Sequence, residues 1–385
     1  MNFTEPDERG ALREAVGRLA RGYGHEYYAE QARTGGHTDA LWADAGRLGY
    51  LGVAVPSEFG GGGGGIGDLA AVCEECSAAG TPMLLMVVSP AICATVIARF
   101  GTEQQRSDWL PGFATGAVRM SFAITEPDAG SNAHELTTTA YRDGDDWVLS
   151  GQKVFISGVD EADAVLVVGR TADARTGKLK PVLFIVPTDA AGLRYHKIEM
   201  DLVAADSQFS LFLDEVRLPA EAVVGSEDAA LEQLFAGLNP ERIMGAAFSL
   251  GLARYALDKA VAYAGERNVW GTPIGAHQGL SHPLAEIKIE LEMAKLMTQK
   301  AAALYDSGDD AGAGESANMA KYAAAEVAIR AVDQAVQVHG GNGLASEYGL
   351  GTLLSAVRVG RIAPVSREMV LNYVAQHSLG LTKSY

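Results

Sequence analysis

The spacing of apolar residues changes twice along the chain. Over residues 5–115 they recur three and four apart in a sequence rich in Ala, Leu and Arg, which predicts helices. Between about 118 and 224 the period falls to two. Residues 119–125 (Arg-Met-Ser-Phe-Ala-Ile-Thr) read as a strand, and Thr137, Thr139 and Tyr141 alternate towards Asp143-Gly144, a hairpin turn. Residues 147–149 open the return strand, and 164–168, 182–186 and 209–213 are further strand-like runs. Short connections between them predict an antiparallel barrel or sandwich. Beyond about 226 the helical period returns. Asn239-Pro240 carries the signal of a helix start, an N-cap residue followed by Pro at the first helical position. Ala246, Leu250, Ala253, Leu257, Ala260 and Ala264 then form one stripe, and Leu284, Ile287, Leu291 and Ala294 another. A third helix is expected from about 315 to 339, stopped by Gly340-Gly341. The small residues in these stripes suit the close packing of a four-helix bundle. The predicted class is α+β: an all-α N-terminal domain over 1–117, a β-domain over 118–225 and a C-terminal helical bundle over 226–385.

Composition narrows the partners. Of 385 residues 48% are hydrophobic, enough for a sizeable core, yet no run of about 18 uncharged apolar residues predicts a membrane span. The polar, acidic opening (Met-Asn-Phe-Thr-Glu-Pro-Asp-Glu-Arg) lacks the features of a secretory signal, so a cytoplasmic location is expected. A net charge of −17 argues against nucleic acid or anionic membrane as partner. It still permits an anionic small ligand held by a few local cations. Cys73 and Cys76 have CxxC spacing, but no second pair or nearby His completes a zinc site, and no metal is expected. The run Gly60–Gly65 is not followed by Lys-Ser or Lys-Thr and reads as a flexible surface loop rather than a phosphate cradle.

Four short stretches carry the chemistry. They are Ala-Ile-Thr-Glu-Pro-Asp-Ala-Gly-Ser-Asn (123–132), Gly-Gln-Lys-Val-Phe-Ile-Ser (151–157), Arg-Asn-Val-Trp-Gly (267–271) with Gln278, and Gln-Val-His-Gly-Gly-Asn-Gly (337–343). In this order and at these intervals they resemble the acyl-CoA dehydrogenase family, and the resemblance covers essentially the whole chain. It implies FAD as cofactor. Phe122, Ile124, Thr125, Gly130, Ser131, Phe155, Ile156 and Ser157 would face the flavin, short hydroxyls and backbone amides meeting its polar edge. Phe155 stands where most relatives have Trp. Arg267 would hold the pyrophosphate of a neighbouring subunit's cofactor, with Trp270, Gln278, Gln337, Val338, Gly340 and Gly341 across the same interface. The implied assembly is a homotetramer, a dimer of dimers, handing electrons to an electron-transfer flavoprotein.

The family removes the α-proton of an acyl-CoA (or acyl-carrier) thioester with a carboxylate, which requires a base in a pocket dry enough to raise its pKa. In many relatives that base is the Glu of a Tyr-Glu-Gly-Thr motif near the C-terminus. The matching stretch here reads Arg-Ile-Ala-Pro-Val-Ser-Arg-Glu-Met (361–369), with Pro364 at the base position. Ser366 takes the Thr position, and Glu368 falls where the family has a flavin-edge Glu. Glu368 lies four residues past Pro364, about 6 Å along a helix, which is a poor match to the same attack geometry. Leu-Asn-Pro-Glu-Arg-Ile (238–243) instead looks like the Glu-Arg pair by which isovaleryl- and long-chain-type members supply the base. This makes Glu241 the expected base and Arg242, with Ser131, a substrate-side residue. The alternative for Glu241 is an acid in a first helical turn, favoured by the helix dipole. Pro364 also lacks the N–H that helps polarise the thioester carbonyl in the family. Two other readings stay open: a flavin oxidase or monooxygenase on this scaffold, and a catalytically weak FAD-binding subunit of a mixed assembly.

Overall fold

The computed structural model describes residues 5–173, 175–226 and 230–383. Six helices come first: α1 (Asp7–Thr34), α2 (Asp39–Arg47), α3 (Ile66–Ala78), α4 (Leu85–Val88), α5 (Thr95–Phe100) and α6 (Glu103–Thr115), with a π-helical turn, Ser89–Ala94, between α4 and α5. Seven strands follow: β1 (Met120–Ala123), β2 (Thr139–Asp143), β3 (Asp146–Ser157), β4 (Ala164–Ala172), β5 (Leu179–Pro187), β6 (Leu193–Ile198) and β7 (Gln208–Leu218). They form one sheet in the order β1-β4-β2-β3-β7-β6, with β5 on β4. Then come α7 (Ala230–Glu266), the short β8 (Asn268–Val269) and β9 (Thr272–Pro273), α8 (Gln278–Asp306), α9 (Asp310–His339), α10 (Leu353–Ile362) and α11 (Arg367–Tyr373).

The hydrophobic periods explain these elements. Every residue of the two predicted bundle stripes is buried, and α9 ends at Gly340 with φ 58°, a conformation that favours glycine. The Asp143-Gly144 hairpin forms between β2 and β3, with Gly144 at φ 66°. The class is α+β as expected, but the sheet is not wholly antiparallel: β1 and β2 each pair with β4 in parallel. Strand β6 gave no legible signal because its residues are mostly exposed on an edge.

One boundary differs. Helix α7 does not begin at Asn239-Pro240 but runs through it from Ala230, so Glu241 lies in a helix interior. Pro240 has no N–H, which leaves the Ala236 carbonyl without its helical partner. The Tyr305 hydroxyl of α8 donates to that carbonyl at 2.9 Å and accepts from Arg99 Nη1 at 3.0 Å. Tertiary contacts thus supply what the proline removes. Tyr305→Phe strands the carbonyl, and we expect it to cost about 1–2 kcal/mol, read as a lower urea midpoint at unchanged slope.

The glycine run is also more ordered than expected. The amides of Gly61, Gly62, Gly63 and Gly64 bond the carbonyls of Pro56, Gly52, Val55 and Val53. A Cβ on Gly61 would lie 2.1 Å from the Val55 carbonyl, so glycine is required by close backbone approach rather than by flexibility. The N-terminal amides of α3 are taken by Asp306, at 2.7 Å from Ile66 N and 3.1 Å from Gly67 N, and no phosphate cradle results.

One apolar core joins Leu69, Ile92 and Cys93 of the N-terminal helices, Met120 and Phe122 of β1, and Ile243, Met244 and Ala247 of α7. The helical layers and the sheet therefore meet around the stretch of α7 that carries Glu241.

Candidate active site

The stretch after β1 is held by a buried ion pair. Glu126 is 3% exposed and Lys153, in the middle of β3, is 0% exposed, with Nζ 2.8 Å from the Glu126 carboxylate. Glu126 also accepts from Thr137 N, Thr137 Oγ1 and Thr138 N at 2.6, 2.7 and 3.0 Å. Lys153 makes a further bond to the Ile124 carbonyl, and Val154 N bonds the Thr125 carbonyl at 3.0 Å. Burial raises the Glu126 pKa, but Lys153 and the threonine donors outweigh it and carry the carboxyl down to about 2. Burial pulls Lys153 down to about 8 against the attraction of Glu126. We read the pair as ionised near neutrality, since the donors around Glu126 all favour its charged form. Neither residue was singled out from sequence, although both lie inside the quoted stretches.

This clamp fixes the backbone from Ile124 to Thr138 against β3. Thr125 is half-buried at the strand end, and Gly130 and Ser131 are exposed in the loop. A Cβ on Gly130 would meet nothing within 4 Å, so the chain itself leaves open space there. On β3 the register shifts between Lys153 and Ile156, and Phe155 takes φ 57° with 56% of its surface exposed. Such a conformation costs an aromatic residue about 1–3 kcal/mol. More than half of its surface is left open by the described residues. Ser157 pairs with Gln208 at 2.9 Å, and its carbonyl accepts from Ser121 Oγ at 2.8 Å. Phe122 and Ile156 differ from expectation: their side chains are buried in the cores, so only their backbone can meet a ligand.

Glu241 faces this region from α7. Cys93, on the π-helical turn, is close enough to feel the Glu241 charge, and its thiol points at the carbonyls of Met120 and Ser121, 3.8 and 3.6 Å away. Glu241 remains partly accessible. Desolvation raises its pKa to about 7, against the pull of Arg242 and Lys321. Arg242 bonds the Leu238 carbonyl and Asn239 Oδ1, while its Nε is buried without a partner. Burial lowers the Arg242 pKa. The C-terminal stretch closes on the same place: a Cβ on Gly245, one turn past Glu241, would lie 3.4 Å from Pro364 Cδ. Ser366 caps α11, accepting from Met369 N at 3.3 Å, so its hydroxyl serves the helix. Glu368 is exposed and pairs with Arg367 at 3.6 Å, which fits a surface position better than a pocket.

The other predicted residues gather at the far end of the bundle. Arg267 and Gln278 are exposed, and Trp270 is 90% exposed at φ 51° beside Gly271 in the β8–β9 hairpin. Gln337, Gly340 and Gly341 are exposed as well, whereas Val338 is buried and offers only backbone. His339 stacks on Tyr263 at 4.2 Å, which brings the end of α9 beside the end of α7. The open face of Phe155 and the free space beside Gly130 suit a large flat cofactor with a polar edge.

Comparison with known proteins agrees with this geometry. Residues 6–117, 121–216 and 231–379 match the N-terminal, middle and C-terminal domains of acyl-CoA dehydrogenase. The chain belongs to the acyl-CoA dehydrogenase family. It is 64% identical over 384 residues to the acyl-CoA dehydrogenase FadE12 of Mycobacterium tuberculosis, covering 100% of this chain and 99% of that one. It is 33% identical to the probable acyl-CoA dehydrogenase YngJ of Bacillus subtilis, over 98% of this chain and 100% of that one. Butyryl-CoA dehydrogenase of Megasphaera elsdenii superposes with a TM-score of 0.90 at 27% identity, over 96% and 98% of the two chains. The protein is thus a FAD-dependent oxidoreductase of the CH–CH class.

Two other clusters stand apart from this site. Cys73 and Cys76 are buried free thiols, Cys73 raised well above its ordinary pKa and Cys76 to about 12 by desolvation, which suits packing residues. Among the described residues, His37, Asp160 and Glu161 bring possible metal-ligand atoms within 4.8 Å of one another. Their contacts read as ion pairs: His37 Nε2 lies 3.3 Å from Asp160, which raises the imidazole to about 9. No helix of the described chain is long and apolar enough to cross a membrane.

Proposed function

We propose that Glu241 is the base that removes the α-proton of an acyl thioester bound between α7, the π-helical turn and β1. The observation that carries this reading is a partly accessible carboxyl whose pKa is raised to about 7 by its own burial. A base titrating near the working pH balances being deprotonated against driving proton transfer. Arg242 and Lys321 keep enough of it ionised, and Ser131 and Arg242 line the substrate side. Glu368 is too exposed to serve as the base.

The flavin would rest on Phe155 and the backbone of residues 122–125 and 155–157, with Thr125, Ser131 and Ser157 offering hydroxyls and Ser366 and Glu368 at its edge. Bound FAD supplies the hydride acceptor. The Glu126–Lys153 clamp keeps that floor from shifting. Arg267, Trp270, Gln278 and residues 337–341 would serve a neighbouring subunit. Arg267 follows the last residue of α7, 26 residues beyond Glu241 and so about 39 Å away at 1.5 Å per residue, at the opposite end of the helix. This supports a homo-oligomer, read as a homotetramer, built from domains at 1–117, 118–225 and 226–385. Electron-transfer flavoprotein as acceptor and a cytoplasmic location complete the reading.

Anaerobic stopped-flow mixing with a panel of acyl-CoA thioesters tests it. We expect at least one thioester to bleach the flavin, with slow reoxidation in air and turnover with ferrocenium. Fast reoxidation without thioester-dependent bleaching would instead mark an oxygen-using flavoenzyme, and no bleaching by any thioester a subunit without turnover.

A further inference from the structure

The C-terminal stretch replaces the family's carboxylate with Pro364, and that residue has no N–H by which neighbours could hold it. The structure nevertheless holds the stretch from two helices, α7 and α9. Pro364 packs on Gly245 of α7. Glu326 of α9 takes Arg361, at the start of the stretch, through Nε at 2.8 Å, and Arg367, three residues past Pro364, at 3.2 Å. Between them the ammonium of Lys321 bonds the Val365 carbonyl.

Lys321 is 2% exposed and lies on α9 five residues before Glu326. A lysine so deeply buried is uncommon unless its charge is used. The groups facing it are Glu241 and Arg242 from α7, Glu326 on its own helix and Glu368 from α11. Tyr373 and Cys93 complete the surroundings of the Glu241-Arg242 pair. The charges that act on Glu241 are both cationic, Arg242 and Lys321, whereas Glu326 and Glu368 act on Lys321 itself. Because the peptide unit is planar, fixing the Val365 carbonyl also fixes the Ser366 N–H, directed away from Lys321.

We propose that Lys321 is a positioning residue of the active site: by holding the Val365 carbonyl it fixes the proline-bearing stretch against Gly245, one turn from Glu241, while presenting its charge to that carboxylate. It acts through Glu241 and the backbone and does not touch the reacting atoms. Burial and Arg242 lower the Lys321 pKa to about 8, so the ammonium persists through neutrality. The inference rests on Glu241 being the base, and the test separates the two.

The test compares Lys321→Met and Lys321→Arg holoenzymes by kcat, KM and the pH profile of kcat with a reactive acyl-CoA. Loss of the positive charge removes one of the two influences that lower the Glu241 pKa. In Lys321→Met we expect the acid limb to move to higher pH and kcat to fall about 100-fold, with KM far less affected, as for a displaced reacting geometry. Lys321→Arg keeps both charge and donor and is expected to restore the limb and most of kcat. An unmoved limb with kcat within twofold of the parent in Lys321→Met overturns the proposal. If Lys321→Met fails to retain FAD, Lys321→Arg decides: a parent-like profile supports the role, and a large kcat loss with an unmoved limb overturns it. Survival of the limb in Glu241→Gln removes the base assignment itself, whatever Lys321 does.

Discussion

Glu241→Gln is expected to lose turnover by about 10²–10⁴-fold while the folded protein becomes more stable at alkaline pH. The two effects have one cause. Burial that lifts the Glu241 carboxyl from 4.5 to about 7 is a penalty on its charged form. The folded pKa lies above the unfolded one, so the native state binds the proton more tightly. The stability this contributes is complete below about pH 4.5 and is lost as pH rises through about 7. Glutamine has no proton to lose and escapes that loss. At pH 8 the variant should therefore exceed the parent by up to about 3 kcal/mol, from about 2.5 pKa units at 1.36 kcal/mol each. At pH 4.5 the two should agree closely. Urea unfolding at both pH values, beside the acyl-CoA assay, reads both effects. Full activity in Glu241→Gln sinks the base assignment. Lost activity with no alkaline gain would mean that the carboxyl is better solvated than its surroundings imply.

Most of the architecture was legible because period and burial go together in this chain. The stripes of α7 and α8 could be read from Ala246, Leu250, Leu284 and Leu291 because each faces one core. Strand β6 was not legible, since an exposed edge has no apolar alternation to detect. The start of α7 was misread for an informative reason. Asn239-Pro240 obeys the local rules of a helix start, and only a residue 65 positions away, Tyr305, repairs the interior proline. Local rules cannot anticipate such a repair. The same limit applies to the site. Short motifs pointed to Thr125, Phe155 and Ser157, and the Glu-Arg pair pointed to Glu241. Nothing in the spacing revealed that Glu126 and Lys153 pair, that Gln208 meets Ser157, or that Lys321 reaches Val365, because these contacts depend on strand register and helix packing. Phe122, Ile156 and Val338 show the converse: a residue inside a motif need not contribute its side chain.

Breaking the Glu126–Lys153 pair should affect stability more than any other single change considered. Glu126→Ala leaves an ammonium with 0% exposure and only the Ile124 carbonyl as partner, and it also strips the acceptor from Thr137 and Thr138. Removing one member of a buried ion pair typically costs about 3–5 kcal/mol, because the other charge remains desolvated. Lys153→Met should cost less, since Glu126 keeps three donors from Thr137 and Thr138. A double variant, Glu126→Leu with Lys153→Met, has no isolated charge and should recover part of the loss. It should still retain FAD poorly, because the loop after Thr125 is no longer tied to β3. Thermal unfolding orders the three variants, and flavin fluorescence released on dilution reads cofactor retention. If the double variant holds FAD as tightly as the parent, the clamp serves stability alone and the flavin floor is fixed by other contacts. If Glu126→Ala is no less stable than Lys153→Met, the lysine does not need the carboxylate, and the pair is not the anchor that its burial implies.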